Sequence, residues 1–216
     1  MATTINYSYD YYLRSIYSSN RDARKAGNRV SMKNKDLLQA DSDAMRKISE
    51  KLRNIEYSSD NATEILDNVK LFVETYNNLI DSTSSSDSEN ITKLKKQITN
   101  FTKENREELE ELGLSISASG KLSLDKTKFG SCSPSKIERF FGSNSEYMDT
   151  IRNYSIQTKR TAGRILDSTD METENKKKTS NPTETIPGAN TAMNDAELLN
   201  SLLEHPENGS SFDAKG

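Results

Sequence analysis

Residues that carry much of protein chemistry are nearly missing from this sequence. Cysteine occurs once, at Cys132, which excludes a disulfide within the chain. Histidine also occurs once, at His205, so a zinc or iron site of ordinary composition has too few ligands. Tryptophan is absent, and no proline or glycine falls between Met32 and Ile80. Long apolar runs are missing too, and none approaches the roughly 20 residues that cross a bilayer. The opening MATTINYSYD lacks the basic and apolar regions of a cleaved secretory signal, so any export is expected to use a route without one. No G-x-S-x-G, glycine-rich phosphate loop or H-E-x-x-H is present. The net charge of -3 gives no electrostatic case for nucleic acid or a membrane surface. These absences predict a non-enzyme with no cofactor, no metal, no nucleic-acid partner and no membrane insertion.

Only 32% of the 216 residues are hydrophobic against 29% charged, and the mean hydropathy is -0.85. That balance is too polar for one large core along the whole length. It suits a single helical domain with disordered ends.

The strongest pattern present is an apolar ladder. It runs Met45, Ile48, Leu52, Ile55, Ser59, Ala62, Leu66, Val69, Val73, Tyr76, Ile80, in steps of 3 or 4, and only Ser59 is not apolar. Such spacing predicts one helix over about 32–81 with a coiled-coil seam. Ile65, Phe72 and Leu79 recur every 7 residues beside it and widen the apolar face. A seam of this kind needs something packed against it. Whether that partner is the same chain or another is left open by the spacing, although strict heptads favour a coil between chains.

Further elements follow the ladder. Ser86 and Glu89 have capping-box spacing after the polar connector 82–88, so a second helix is expected with Ile91, Leu94, Ile98, Phe101, Leu109 and Leu112 inward. Asn105 and Glu108 interrupt that stripe, which predicts less burial in its C-terminal part. Gly113 ends the helix. Leu114 and Ile116, then Leu122 and Leu124, alternate with serines about an S-G turn and predict a β-hairpin over about 114–124. Asp125 is placed to cap a turn through Phe129, and Ser133-Pro134 to start a helix with Ile137, Phe140 and Phe141 inward. A helix from about Ser145, with Tyr147, Ile151, Tyr154, Thr158, Thr161 and Ile165 on one stripe, is expected to return along the long one. The fold class is therefore mainly α: a long-helix hairpin or three-helix bundle with coiled-coil character, a small β-hairpin and a disordered C-terminal tail.

The flanks read differently. Residues 1–31 are Tyr-rich, with Tyr9, Leu13, Ile16 and Tyr17 at helical spacing; they are either a docking segment or a helix folded back on the protein. Gly27 and Asn28 suggest a break before the helical bundle of 32–166. Composition makes 167–193 a disordered linker and 206–216 a disordered tail. Between them, Leu198, Leu199, Leu202 and Leu203 form a short leucine-rich helical motif at 194–205, suited to binding a partner's groove.

Three stretches in order resemble the C-terminal region of flagellar hook-associated protein 2, the filament cap. D-N-V-K-L-F-V-E-T-Y-N-N-L-I-D at 67–81 is similar to a family helix with an F-V-x-x-Y-N-x-L-I core. E-L-G-L-S-I-S-A-S-G-K-L-S-L-D-K-T-K-F at 111–129 looks like the family's strand, turn, Leu-x-Leu-Asp strand and short helix. S-P-S-K-I-E-R-F-F at 133–141 is similar to the short helix that follows. The match covers roughly 41–166, as a shortened relative without the outer domains. It implies a helix hairpin with a small β element, signal-less flagellar export to the extracellular filament, and a structural role without catalysis. Asn77 is implied to bond polar backbone.

The expected self-association residues are Met45, Ile48, Leu52, Ile55, Ala62, Leu66, Val69, Phe72, Val73, Tyr76 and Ile80. Expected partners are the protein itself or axial proteins such as flagellin and hook-associated proteins, with an export chaperone as candidate partner of the tail motif. The alternative is a cytoplasmic helical adaptor that acts through Leu198, Leu199, Leu202 and Leu203.

Overall fold

The computed structural model describes residues 9–178, with side chains through Ile165. The mainly α architecture with one small hairpin is the fold this chain adopts. In chain order the helices are α1 (Tyr9–Ile16), α2 (Ala26–Arg29), α3 (Asn34–Asn54), α4 (Ala62–Ser84), α5 (Glu89–Glu104) and α6 (Arg106–Glu111). Strands β1 (Leu114–Ile116) and β2 (Leu122–Leu124) follow, then α7 (Lys126–Gly130), α8 (Pro134–Phe141) and α9 (Glu146–Lys178).

The single helix expected over 32–81 is two helices. Helix α3 stops at Asn54, Ile55 turns to extended backbone (φ -79°, ψ 158°), and α4 starts at Ala62. The last carbonyls of α3 find side-chain donors: Tyr57 Oη donates to the Leu52 carbonyl at 2.6 Å, and Asn54 Nδ2 to the Glu50 carbonyl at 2.7 Å. Ser58, Ser59, Asp60 and Asn61 then form the turn, as short polar side chains that compete for backbone bonds do. Ser59, the one polar rung of the ladder, lies in the break. The two helices run antiparallel: Lys51 meets Glu64 beside the turn, and Asn34 Nδ2 donates to the Ser82 carbonyl at the far end.

Most seam residues thereby face one another inside a single chain. Met45, Ile48 and Leu52 on α3 and Val69, Phe72, Tyr76 and Ile80 on α4 are at most 1% exposed. Ile55, Leu66 and Val73 are half-buried against the same core. Ala62 departs from expectation: it is exposed, because it is the first residue of α4 and its side chain leaves the turn outward. Ile65 and Leu79, beside the seam, are buried, as is Leu71.

Helix α9 covers the hairpin of helices from one side. Arg53 pairs with Asp149, Arg152 with Glu50 and Lys159 with Asp43, so α9 is antiparallel to α3. On its other flank Tyr147 stacks on Phe101 of α5, and Ala162 packs with Leu94, Ile91 and Leu38. The packed set is α3, α4, α5 and α9. Thr158, one of two threonine rungs of the α9 stripe, is buried with its hydroxyl bonded back to the Tyr154 carbonyl at 2.8 Å. Helix α9 continues to Lys178, so residues 167–178, read as linker from composition, are helical.

Three smaller expectations also shift. The connector after α4 is 85–88, because the hydroxyls of Ser82, Thr83 and Ser84 bond back to earlier carbonyls and keep those residues helical. Ser86 and Glu89 form no capping box; Ser86 Oγ accepts from the Ser88 amide and Ser88 takes the N-cap position. Leu109 and Leu112, expected to be less covered, are fully buried, because the break at Asn105 lets α6 turn onto β1.

The Tyr-rich lead folds back on its own protein. Leu13, Ile16 and Tyr17 are buried against α3 and α4, and Tyr9 Oη donates to Glu74. Gly27 and Asn28 lie within the short α2, and the break falls just after it.

Candidate functional site

Phe72 and Tyr76, two of the residues expected to self-associate, lie in an aromatic core. Phe72 meets Phe141 edge-on at 5.5 Å between ring centroids, and Phe140 stacks on Tyr147 at 4.6 Å. Thr102 of α5 bridges two phenols of this cluster: Tyr76 Oη donates to its hydroxyl at 3.0 Å, and Tyr147 Oη lies 3.4 Å away. Burial raises both phenols above their ordinary range, so they stay neutral and act as hydrogen-bonding core residues.

A second junction ties α4 to the β-hairpin. Asn77 Nδ2 donates to the Leu122 carbonyl at 2.8 Å, and the Leu122 amide donates to Asn77 Oδ1 at 2.8 Å. The side-chain amide thus pairs with the outer edge of β2 as another strand would. On the inner side β2 pairs with β1 in the register Leu114↔Leu124 and Ile116↔Leu122. Leucine and isoleucine of β1 point inward and Ser115 points out. Gly113, at φ +79°, opens the hairpin; a Cβ there would come 2.9 Å from the Asp125 carbonyl oxygen. Asp125 Oδ1 accepts from the amides of Thr127 and Lys128 and starts α7, and Ser133 Oγ accepts from Lys136 to start α8.

The third junction is polar and was missed by the sequence pattern. Asp41, fully buried on α3, receives both arms of Arg29 at 2.8 Å and the Tyr17 hydroxyl at 3.1 Å. Asn78 Nδ2 donates to the same Tyr17 oxygen at 2.9 Å, and Arg29 also reaches the Ala23 carbonyl at 2.9 Å. Burial, then the Asp41 charge, push the Tyr17 phenol up. Two residues on, Asp43 joins Lys47, Arg46 and Lys159. Burial alone would raise its carboxyl, but bonds from Lys159, Lys47 and Ser19 outweigh that and hold it well below the carboxylate range. A signal for this junction exists: Leu38, Asp41 and Met45 extend the ladder at the same 3 and 4 steps, which puts a carboxylate at a seam position.

The leucine-rich motif, Leu198, Leu199, Leu202 and Leu203, and the tail 206–216 lie outside the described residues, as do 179–193 of the expected linker. Among the described residues no group of three metal-ligating side chains is clustered. No described helix is long and apolar enough to cross a membrane. Cys132 is half-buried beside α7, with its thiol toward the Lys128 and Glu111 carbonyls. Beside it an apolar recess of about 190 Å³ lies between Ala62, Leu66, Phe129 and Ile137. No protein-family model, curated protein or solved structure matches this chain.

Proposed function

We propose that this chain is a non-enzymatic structural module of the flagellar hook-associated, filament-cap type. It works by presenting a rigid helical unit to axial proteins such as flagellin or hook-associated proteins, after export without a cleaved signal. One observation carries the reading. The three segments on which the resemblance rests, 67–81, 111–129 and 133–141, form one packed unit, joined by the Asn77–Leu122 pair and by the shared core of Phe72, Phe129 and Phe141.

The mechanism differs from burial of a shared coil. Met45, Ile48, Leu52, Val69, Phe72, Tyr76 and Ile80 are consumed inside the chain, so contacts with other proteins fall to its outer faces. That closure also favours a second reading, a cytoplasmic adaptor acting through Leu198, Leu199, Leu202 and Leu203.

Co-sedimentation of the full-length chain with purified flagellar filaments, followed by gold labelling in negative stain, separates the two. The axial reading expects label at filament ends, unchanged by Leu199→Ala with Leu202→Ala. Absence of binding to filaments and hook complexes overturns it. Capture of a cytoplasmic partner that this double substitution abolishes supports the adaptor.

A further inference from the structure

The turn between α1 and α2 gathers cations that the core does not use. From Arg14 to Lys25 the sequence places Arg14, Arg21, Arg24 and Lys25 against one carboxylate, Asp22, in a chain whose net charge is -3. Arg14, Tyr17, Ser18, Arg21 and Arg24 line a recess of about 330 Å³, and no carboxylate is among its lining residues. Several arginines of the packed unit meet acids: Arg29 meets Asp41, Arg53 meets Asp149, and Arg152 meets Glu50. Arg21 and Arg24 have no ion pair among the described residues, although Arg24 is half-buried. Arg14 holds only Asp10, in a solvent-exposed pair one helical turn away. Asp22 is turned to Asn28.

The recess is also held in shape. Tyr17, one of its lining residues, is only 1% exposed and tied through its hydroxyl to Asp41 and Asn78. Ala23, between the two unpaired arginines, is fully buried and its carbonyl is held by Arg29. Lys47 donates to Ser18 Oγ at 2.9 Å on the rim. Three arginines and a serine around one concavity, with no carboxylate among them, suit a tetrahedral, doubly charged oxyanion, which accepts paired N–H bonds along its edges. At about 330 Å³ the recess has room for an anion that carries a small substituent.

We propose that this recess binds a phosphoryl monoester, held by Arg14, Arg21 and Arg24 with Ser18 as a hydroxyl donor. The group belongs either to a small phosphorylated compound or to a phosphorylated side chain of a partner peptide, because both present the same three oxygens.

Isothermal titration calorimetry of the full-length chain tests this with phosphoserine, a phosphoserine-containing peptide, inorganic phosphate, sulfate and glutamate. Saturable binding of phosphoserine is expected, weakened about tenfold or more by Arg21→Gln with Arg24→Gln and by less in Arg24→Lys, which keeps the charge but loses the fork. Circular dichroism checks that the double variant folds; neither residue has a bond to lose in the core. A peptide that binds more tightly than free phosphoserine assigns the partner-protein source, and equal affinities assign the small-compound source. No saturable binding, equal response to all five probes, or undiminished binding by the double variant overturns the proposal. Its failure leaves the axial reading untouched, since that reading is measured on filaments.

Discussion

Asn77 shows how one side chain can decide where a sheet sits. It gives one hydrogen bond to Leu122 and takes one from it, so Asn77→Ala leaves a half-buried amide and a carbonyl without partners. A loss of about 1–3 kcal/mol is expected in urea denaturation, and an unchanged midpoint would show that water replaces the amide. Asp43 gives a pH signature. Its folded pKa is depressed, so its stabilising contribution is present above the unfolded value of about 3.9 and is lost as pH falls toward the folded one. Wild type is therefore expected to exceed Asp43→Asn in stability at pH 7, with the gap narrowing below about pH 4. Denaturation curves of both proteins at pH 7 and pH 3 measure it. Asp41, Arg29 and Tyr17 were legible only as an irregularity, a carboxylate on an apolar stripe. The bonds to Asp41 and from Asn78 to Tyr17 span 12 to 61 residues, and no local pattern encodes contacts of that range.

Among elements, α3 and α4 carry the main lesson. Heptad spacing reports an apolar face on a helix and says nothing about which helix covers it. The chain answers by breaking at Ile55 and folding the ladder onto itself. Val69→Asp then strikes the chain's own core: an unpaired charge at a position with 0% exposure is expected to cost several kcal/mol. Thermal melting by circular dichroism reads this directly, and a wild-type melt would mean Val69 does not face the core. At the break, Tyr57→Phe removes the donor to the Leu52 carbonyl and is expected to cost about 0.5–1.5 kcal/mol in the same assay. Elements with local chemistry were readable from residues alone. Asp125, Ser133-Pro134 and the Leu-Ser-Ile and Leu-Ser-Leu strands stand where turn and cap chemistry puts them. The helix boundaries at 54 and 84 were not, because serine and threonine hydroxyls can either end a helix or bond back within it.

For the molecule as a whole, closure of the seam predicts a monomer. Light scattering coupled to size exclusion is expected to return the single-chain mass of 24.3 kDa at every concentration. A concentration-dependent oligomer, lost in Val69→Asp, would mean that the ladder is shared between chains. The sequence by itself determined the mainly helical class, the hairpin, its caps and the apolar faces, because each follows from spacing and turn chemistry within a few residues. Tertiary structure alone decided that the ladder bends, that α9 and α5 close it, and that Arg21 and Arg24 face a shared recess while Arg29 is spent on Asp41. Those outcomes depend on which surfaces meet after the chain reverses, and burial and charge pairing are then settled between residues far apart in the sequence.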